Sequence, residues 1–545
     1  MHALFTILSV ITLIAAANGQ AVYQPCPILR AYYPAPTIDK NSKTIQSFTQ
    51  DFTDLFDQLI AVGGSEDFGP ITPNTTSFSV ILFSGAENAE EDPVFFEYQH
   101  TAIESQEAEN VTNNTVFPVG TLTQLFTVYT WLAEIGDESW DAPITQFLPE
   151  ITAAASISSD FSVNWDKVTV GSLAGHISGI ARDSHACTIG TSCDKQKFLD
   201  AFASKPAVFL PDTTPMISNA AFQLLAFALE SQTSTSFCNT LSSSILNPLN
   251  MSQTGLLSNN NKNITTTTTN PKIFGNYIDS SMSGEQPSLS LYTTSNDLAR
   301  FGHSILSSKL LSASQTRRWL QPIADTSNLR NGVGRPWEVY HAGQYANSSI
   351  LDVYTKTGAI GQYSSYFGLV PDFNAGFAIL AHDTDGIVDL NVYADLVSLA
   401  LLQLEELAAK EMAARYAGTF VGDDEGSLVV LNVTDEGPGL VVTGLEVNGI
   451  DLRAEAADAA GIDLEDLDFR LYPSNVAKDN LQQFMSVFQD RSAPADMGTP
   501  TCITWMDTGS VGAGAVERFI FEVDESGMAV GLRLSGKEAR FTRQV

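Results

Sequence analysis

Two apolar runs at residues 78–84 and 94–100, rich in Phe, Val and Ile, narrow the possible folds more than any other feature of the chain. Only an acidic connection, AENAEED, separates them. A helical pattern precedes them: Ile45, Phe48, Phe52, Leu55, Phe56 and Leu59 recur at helical spacing across residues 41–61. A helix followed by an antiparallel strand pair does not fit the strand–helix alternation of a doubly wound parallel sheet. It predicts an α+β fold.

The texture changes near Tyr416. Before it, Leu390, Tyr393, Val397, Leu401 and Leu404 mark one face of a long helix over residues 390–415. After it come short alternating runs at 428–433, 439–442, 518–523 and 528–534, with Gly, Asp and Asn turns between them. In the last run Met528, Val530, Leu532 and Leu534 share a face. These runs predict an all-β antiparallel domain at the C-terminal end. The predicted division is residues 1–19, 20–410 and 411–545. Residues 258–270, SNNNKNITTTTTN, form a polar surface loop with no capacity to build a core.

Residues 1–19 read as a secretory signal. The apolar run from Leu4 to Ala17 is too short to span a bilayer and ends in small residues, with cleavage expected after Gly19 or Ala17. No later segment has the length and purity of a membrane helix, so a secreted protein is expected. Cys187 and Cys193 close a short loop, CTIGTSC, and predict a local disulfide in an oxidising compartment. The pairing of Cys26, Cys238 and Cys502 stays open. Asn-x-Ser/Thr sequons at Asn74, Asn110, Asn113, Asn250, Asn263, Asn347 and Asn432 are candidate glycosylation sites.

Across 545 residues, 28 Lys+Arg stand against 62 Asp+Glu, a formal charge of −34. A surface this negative repels phosphate backbones and anionic headgroups, which excludes nucleic acid and argues against a membrane surface. The histidines are scattered and suggest no metal cluster. No cofactor motif survives inspection either: GLRLSGK at 531–537 has P-loop spacing, but Glu538 stands where Ser or Thr is needed.

Three segments look like parts of one site. In FPVGTLTQLFTVYTW (117–131), Leu122, Leu125, Phe126, Tyr129 and Leu132 describe a buried helix opening just after Gly120. Thr121 and Gln124 project from the same side of its first turn, where the helix dipole and free backbone N–H groups favour a nucleophile. PMISNAAF (215–222) leads into a second helix. YTKTGAIGQYSSY (354–366) is a strand–turn–strand with Lys356 shortly before a glycine.

With VTVGSLAGHISGI and LNPLNMSQTGL, these segments resemble, in order and spacing, the serine β-lactamase, penicillin-binding-protein and esterase family in its secreted two-domain form. The resemblance runs from about Phe78 to Ala381. FPVGTLTQLFTVYTWLAE is similar to the family's Ser-x-x-Lys helix, PMISNAAFQLLAFALE to its Tyr-x-Asn segment, and YTKTGAIGQYSSYFGLVPD to its Lys-Thr-Gly strand. It implies a β-lactamase/transpeptidase-like antiparallel sheet flanked by helices, followed by a lipocalin-like β-domain.

The resemblance also implies an active site at Thr121, Gln124, Ile217, Asn219 and Lys356, with Thr357, Gly358 and Ala359 contacting a ligand. Three of these positions depart from the family pattern. Its nucleophilic Ser falls on Thr121, its Lys on Gln124, and its Tyr on Ile217. An amide cannot take up a proton at ordinary pH and an aliphatic chain has nothing to accept with; losing a positioned base costs roughly 10²–10⁴ in rate. What survives is the receptor half: backbone N–H groups of Thr121 and Ala359 for an oxyanion, and Lys356 and Thr357 for a carboxylate.

The expected function is therefore binding of a small acyl or peptide-like ligand without turnover. One alternative is a hydrolase or acyltransferase that uses Thr121 as nucleophile, with Lys356 or a bound-water network as a relocated base. Another is a non-enzymatic structural or interaction protein whose pocket Ile217 helps to fill. Each residue also has a plain structural reading: Thr121 as a helix N-cap, Gln124 as a hydrogen-bonding spacer, Ile217 as core packing, and His176 as a satisfied structural histidine.

Overall fold

The computed structural model describes residues 32–105, 110–155, 161–257, 273–275, 282–343, 351–434, 437–492, 517–535 and 539–544. The signal segment, Cys26, Cys502, Asn263, Asn347 and the loop at 258–270 lie outside these residues. Helix α1 (Lys43–Val62) begins where Ser42 accepts the Ile45 N–H at 3.2 Å. It ends at Gly63, whose φ of 75° is a left-handed conformation that glycine enters without steric cost. Its buried stripe is Ile45, Phe48, Phe52, Phe56 and Leu59, while Leu55 is half-buried. Each such side chain contributes about 1.5–3 kcal/mol on leaving water.

That stripe lies on an antiparallel sheet. Its strands are β1 (Thr76–Ser84), β2 (Val94–His100), β3 (Ala324–Asp325), β4 (Asn331–Val333), β5 (Glu338–Ala342), β6 (Leu351–Ile360), β7 (Tyr363–Val370) and β8 (Ala375–Asp383). The order across the sheet is β2-β1-β8-β7-β6-β5-β4-β3. Every residue of β1 and β8 is buried, so both faces are covered. On one face Phe56 and Phe52 of α1 lie 6.3 Å from Phe78 and 5.6 Å from Phe96.

Of helices α2 (Thr123–Glu134), α3 (Asn219–Thr233) and α4 (Ser295–Leu306), α4 packs against the other face, α2 lies against α4, and α3 against α2. In α4, Gly302 admits the Phe83 ring; a Cβ there would meet it at 2.2 Å. Phe301 stacks on Phe126 of α2 with ring centres 4.0 Å apart. Residues Thr123 to Leu132 of α2 are all buried, so its threonine hydroxyls turn back to main-chain carbonyls: Thr123 to Gly120 at 2.6 Å, Thr127 to Pro287 at 2.6 Å and Thr130 to Phe126 at 2.7 Å. Cys187 and Cys193 are disulfide-bonded and Cys238 is free. The bridged loop is tied by main-chain hydrogen bonds, Gly284 N–H to Cys187 O and Ile189 N–H to Met282 O, to the segment that carries Ser288.

The chain divides into two compact units. One holds residues 37–342 and 351–403; the other is Leu404–Val545 with residues 32–36. The division falls between residues 403 and 404, within helix α5 (Asn391–Tyr416), which also contains the expected boundary at 410/411. Residues 32–36 leave the first domain because Tyr32 packs with Tyr472 and Val487 of the second unit.

The second unit is a barrel of β9 (Gly418–Gly422), β10 (Leu428–Thr434), β11 (Gly437–Val447), β12 (Leu467–Lys478), β13 (Leu481–Asp490), β14 (Arg518–Val523), β15 (Ala529–Leu534) and β16 (Arg540–Arg543). Each strand pairs antiparallel with the next, and β16 returns to β9. Closure leaves no open edge. Its interior is aromatic, with Phe420, Phe469, Phe484, Phe519 and Phe521 all buried. The Arg543 guanidinium donates to the carbonyls of Ala414, Arg415 and Ala417, satisfying the last turn of α5.

The predicted face of β15 needs correction. Ala529 and Leu532 are buried while Val530 is 43% exposed. A register shift between Glu522 and Val523 pairs Val523 with Ala529 but Glu522 with Gly531, and the extra residue turns Val530 outward. The sequons at Asn74, Asn110, Asn250 and Asn432 are exposed. Asn113 is half-buried and its amide donates to Glu97 Oε2 at 2.5 Å. Among the described residues no helix is long and apolar enough to cross a membrane.

Candidate functional site

Helix α2 points its first turn at the edge of β6. Gly120 takes φ +54°, and a Cβ on it would lie 2.4 Å from Ala359 O; a Cβ on Gly358 would lie 2.1 Å from Val119 O. Only two glycines facing each other allow the turn and the strand to approach this closely. Thr121 sits on a single 3₁₀ turn, Gly120–Leu122, and its Oγ1 donates to Thr357 O at 3.0 Å. It does not cap α2, as the helix begins beyond the turn with Leu122 at its N-cap. Thr121 is half-buried, and Thr357 and Ala359 are exposed, so the hydroxyl faces an open surface.

Behind the hydroxyl the site is closed and saturated. Gln124 is fully buried. Its Oε1 accepts from His176 Nε2 at 3.0 Å, and its Nε2 donates to Ser288 Oγ at 2.8 Å and Asn219 Oδ1 at 3.2 Å. Ser288 donates in turn to Asn219 Oδ1 at 2.8 Å, and Asn219 Nδ2 donates to Asp183 Oδ1 at 2.7 Å. The Ser218 N–H donates to His176 Nδ1 at 3.2 Å, which puts the histidine proton on Nε2. Ser218 also caps α3 by accepting the Ala221 N–H, so one residue fixes both Asn219 and His176.

His176 fulfils the expectation of a satisfied histidine and is also a member of the site that sequence reasoning left outside it. Burial holds its imidazole down to about 3 from 6.5, and the Lys356 ammonium acts in the same direction. The unfolded chain therefore takes up this proton first as pH falls. The contribution is whole above about pH 6.5 and is lost as pH drops towards 3. Relative to His176→Gln, the protein should lose about 1.4 kcal/mol of stability per pH unit between pH 6 and 4. Urea unfolding of both proteins at pH 7, 5 and 4 measures it; equal slopes would show that His176 carries none of the dependence.

Two expectations are corrected here. Ile217 is not core packing: it is half-buried on the extended segment entering α3, where the Met216 N–H is bonded to His176 O. Nor do Lys356 and Thr357 stand free for a ligand carboxylate. Lys356 is 1% exposed and its Nζ donates to Glu338 Oε1 and, at 3.3 Å, to Thr357 O. Glu338 Oε2 accepts the Thr357 N–H at 3.0 Å and its hydroxyl at 2.8 Å. An ammonium so buried needs a counter-charge, and Glu338, at the start of β5 and opposite Thr355, supplies it. The Lys356 Nζ is thus engaged by Glu338 and Thr357 and does not face an open pocket.

Comparison with known proteins agrees with this architecture. Residues 90–402 match the family model described as Beta-lactamase, and residues 408–545 match one described as Beta-lactamase-like-like, C-terminal domain. The chain belongs to the β-lactamase family. It is 24% identical over 514 residues to a beta-lactamase-like protein of Arthroderma benhamiae, covering 85% of this chain and 83% of that one. It is 20% identical over 512 residues to the probable hydrolase clz13 of Cochliobolus lunatus, covering 82% and 77%. Among solved structures, SurE with D-Leu aligns at TM-score 0.50 and 16% identity over 92% of this chain and all of the other. The β-lactamase/D-alanine carboxypeptidase of Yersinia pestis complexed with citrate aligns at TM-score 0.50 and 16% identity, over 66% and 99%. At such identities these structures speak for the fold alone.

Proposed function

We propose that this chain is a secreted, catalytically impaired member of the β-lactamase family that binds a small acyl or peptide-like ligand at the open edge of β6 without cleaving it. One observation carries the reading: the Thr121 hydroxyl donates to a backbone carbonyl, and the side chain three residues on is an amide whose nitrogen and oxygen are both already hydrogen-bonded. Neither group can take up the proton that a nucleophilic hydroxyl must lose. Secretion is supported by the N-terminal apolar run, the Cys187–Cys193 bridge and the exposed sequons.

A hydrolase using Thr121 is the second reading. What favours it is a carboxylate on the neighbouring residue: Glu338 holds the N–H and hydroxyl of Thr357, whose carbonyl accepts from Thr121. The relative named probable hydrolase clz13 points the same way. Hydrolysis of p-nitrophenyl butyrate by the full chain separates the two. The wild type and Thr121→Ala should turn over at the same background rate. A fall of tenfold or more in the variant would establish the hydrolase.

A further inference from the structure

We infer that Glu338 is a built-in occupant of a carboxylate clamp, and that it sets the class of ligand the cleft takes: acyl compounds whose far end is uncharged, esters and amides, in preference to free acids. This rests on the binding reading above and specifies it.

Three donors from two adjacent residues converge on the Glu338 carboxylate, the Lys356 Nζ on Oε1 and the Thr357 N–H and hydroxyl on Oε2. Engagement of both oxygens by charged and neutral donors is how proteins recognise carboxylates. Here the recognised group belongs to the chain itself. Strand pairing puts it there: the β5–β6 ladder begins at Glu338 opposite Thr355, so the edge of β6 from Lys356 onward has no strand partner in β5. The N–H and carbonyl of Thr357 on that edge go instead to the Glu338 side chain and to Thr121.

An arriving free acid meets a clamp whose positive charge is already neutralised. It must displace a carboxylate tethered on the next strand, whose effective concentration is on the order of millimolar or higher. Displacement would also leave one of two carboxylates without its partner ammonium. A ligand ending in an ester or amide carries no such charge and has no need of the clamp. The Glu338 side chain is 39% exposed against 1% for Lys356, so the occupant can be removed by substitution without opening the core.

The test uses the purified full chain with fluorescent penicillin, as the free acid and as its methyl ester, and reads affinity by polarisation. Wild type should bind the ester about tenfold or more tightly than the acid. Glu338→Ala should tighten the acid by about tenfold or more, as expected for regaining a hydrogen-bonded charge, and move the ester by less than about threefold. Glu338→Gln removes the charge while keeping an acceptor for Thr357; it should tighten the acid in the same direction, and it serves if the alanine variant fails to fold. Equal binding of acid and ester to wild type would overturn the inference. So would an acid affinity unmoved in both variants while the ester still binds, and that result would leave the binding reading intact. Failure of both probes to bind any of the three proteins would overturn both.

Discussion

Gln124→Leu will lower the free energy of unfolding by about 3–4 kcal/mol, although leucine nearly preserves the volume. The amide is fully buried and makes three hydrogen bonds, one accepted from His176 and two donated to Ser288 and Asn219. Asn219 Oδ1 keeps its bond from Ser288. The His176 N–H is left facing a methyl group, and a buried donor without an acceptor costs about 1–3 kcal/mol beyond the bonds themselves. Gln124→Glu keeps an acceptor for His176 and should recover part of the loss. Urea unfolding reads both variants. A cost below about 1 kcal/mol for leucine would mean the network does not hold the site. Lysine, the family's residue at this position, would set an ammonium against the same N–H, so the substituted site has acquired a partner set of its own.

Arg470→Met should cost about 3–5 kcal/mol, the range for stripping a buried ion pair of one member. Arg470 is 1% exposed and Asp468 is 1% exposed. The arginine Nε reaches both carboxylate oxygens, at 2.9 and 2.8 Å, and Nη1 donates to Pro438 O at 2.9 Å. Once it is gone, Asp468 retains Arg491 at 3.3 Å, which holds the loss near the lower end. Removing both charges together, as Asp468→Leu with Arg470→Met, should restore most of the stability, since neither partner then stays buried and unpaired. Chemical unfolding of the single and double variants distinguishes the two costs. A double variant no better than the single would show that the pair contributes through packing and not through charge.

The parts legible in the sequence were those with a local signature. The aromatic stripe of α1, the short acidic link between β1 and β2, and the all-buried helix that follows Thr121 each follow from residues within one or two turns of each other. The barrel's alternation was legible in β10 and β14 but hidden in β12. There Asp468 and Arg470 alternate with Phe469 and Leu471 yet are buried too, so polar letters stand at buried positions. In β15 one bulge was enough to move Val530 to the other face. The site divided along the same line. Thr121, Gln124 and Asn219 could be placed by motif; His176 lies in the quoted segment VTVGSLAGHISGI but nothing local tied it to Gln124, 52 residues away, and Ser288 joins across 164 residues with no local mark. Glu338 lies 18 residues before Lys356, and only the register of β5 against β6 brings its carboxylate onto the clamp.

The proposed function turns on a threonine hydroxyl with nowhere to send its proton. Intact-mass measurement of the full chain after prolonged exposure to penicillin at neutral pH tests that directly. The unmodified mass is expected at every time point. A penicilloyl adduct that peptide mapping places on Thr121 would contradict it.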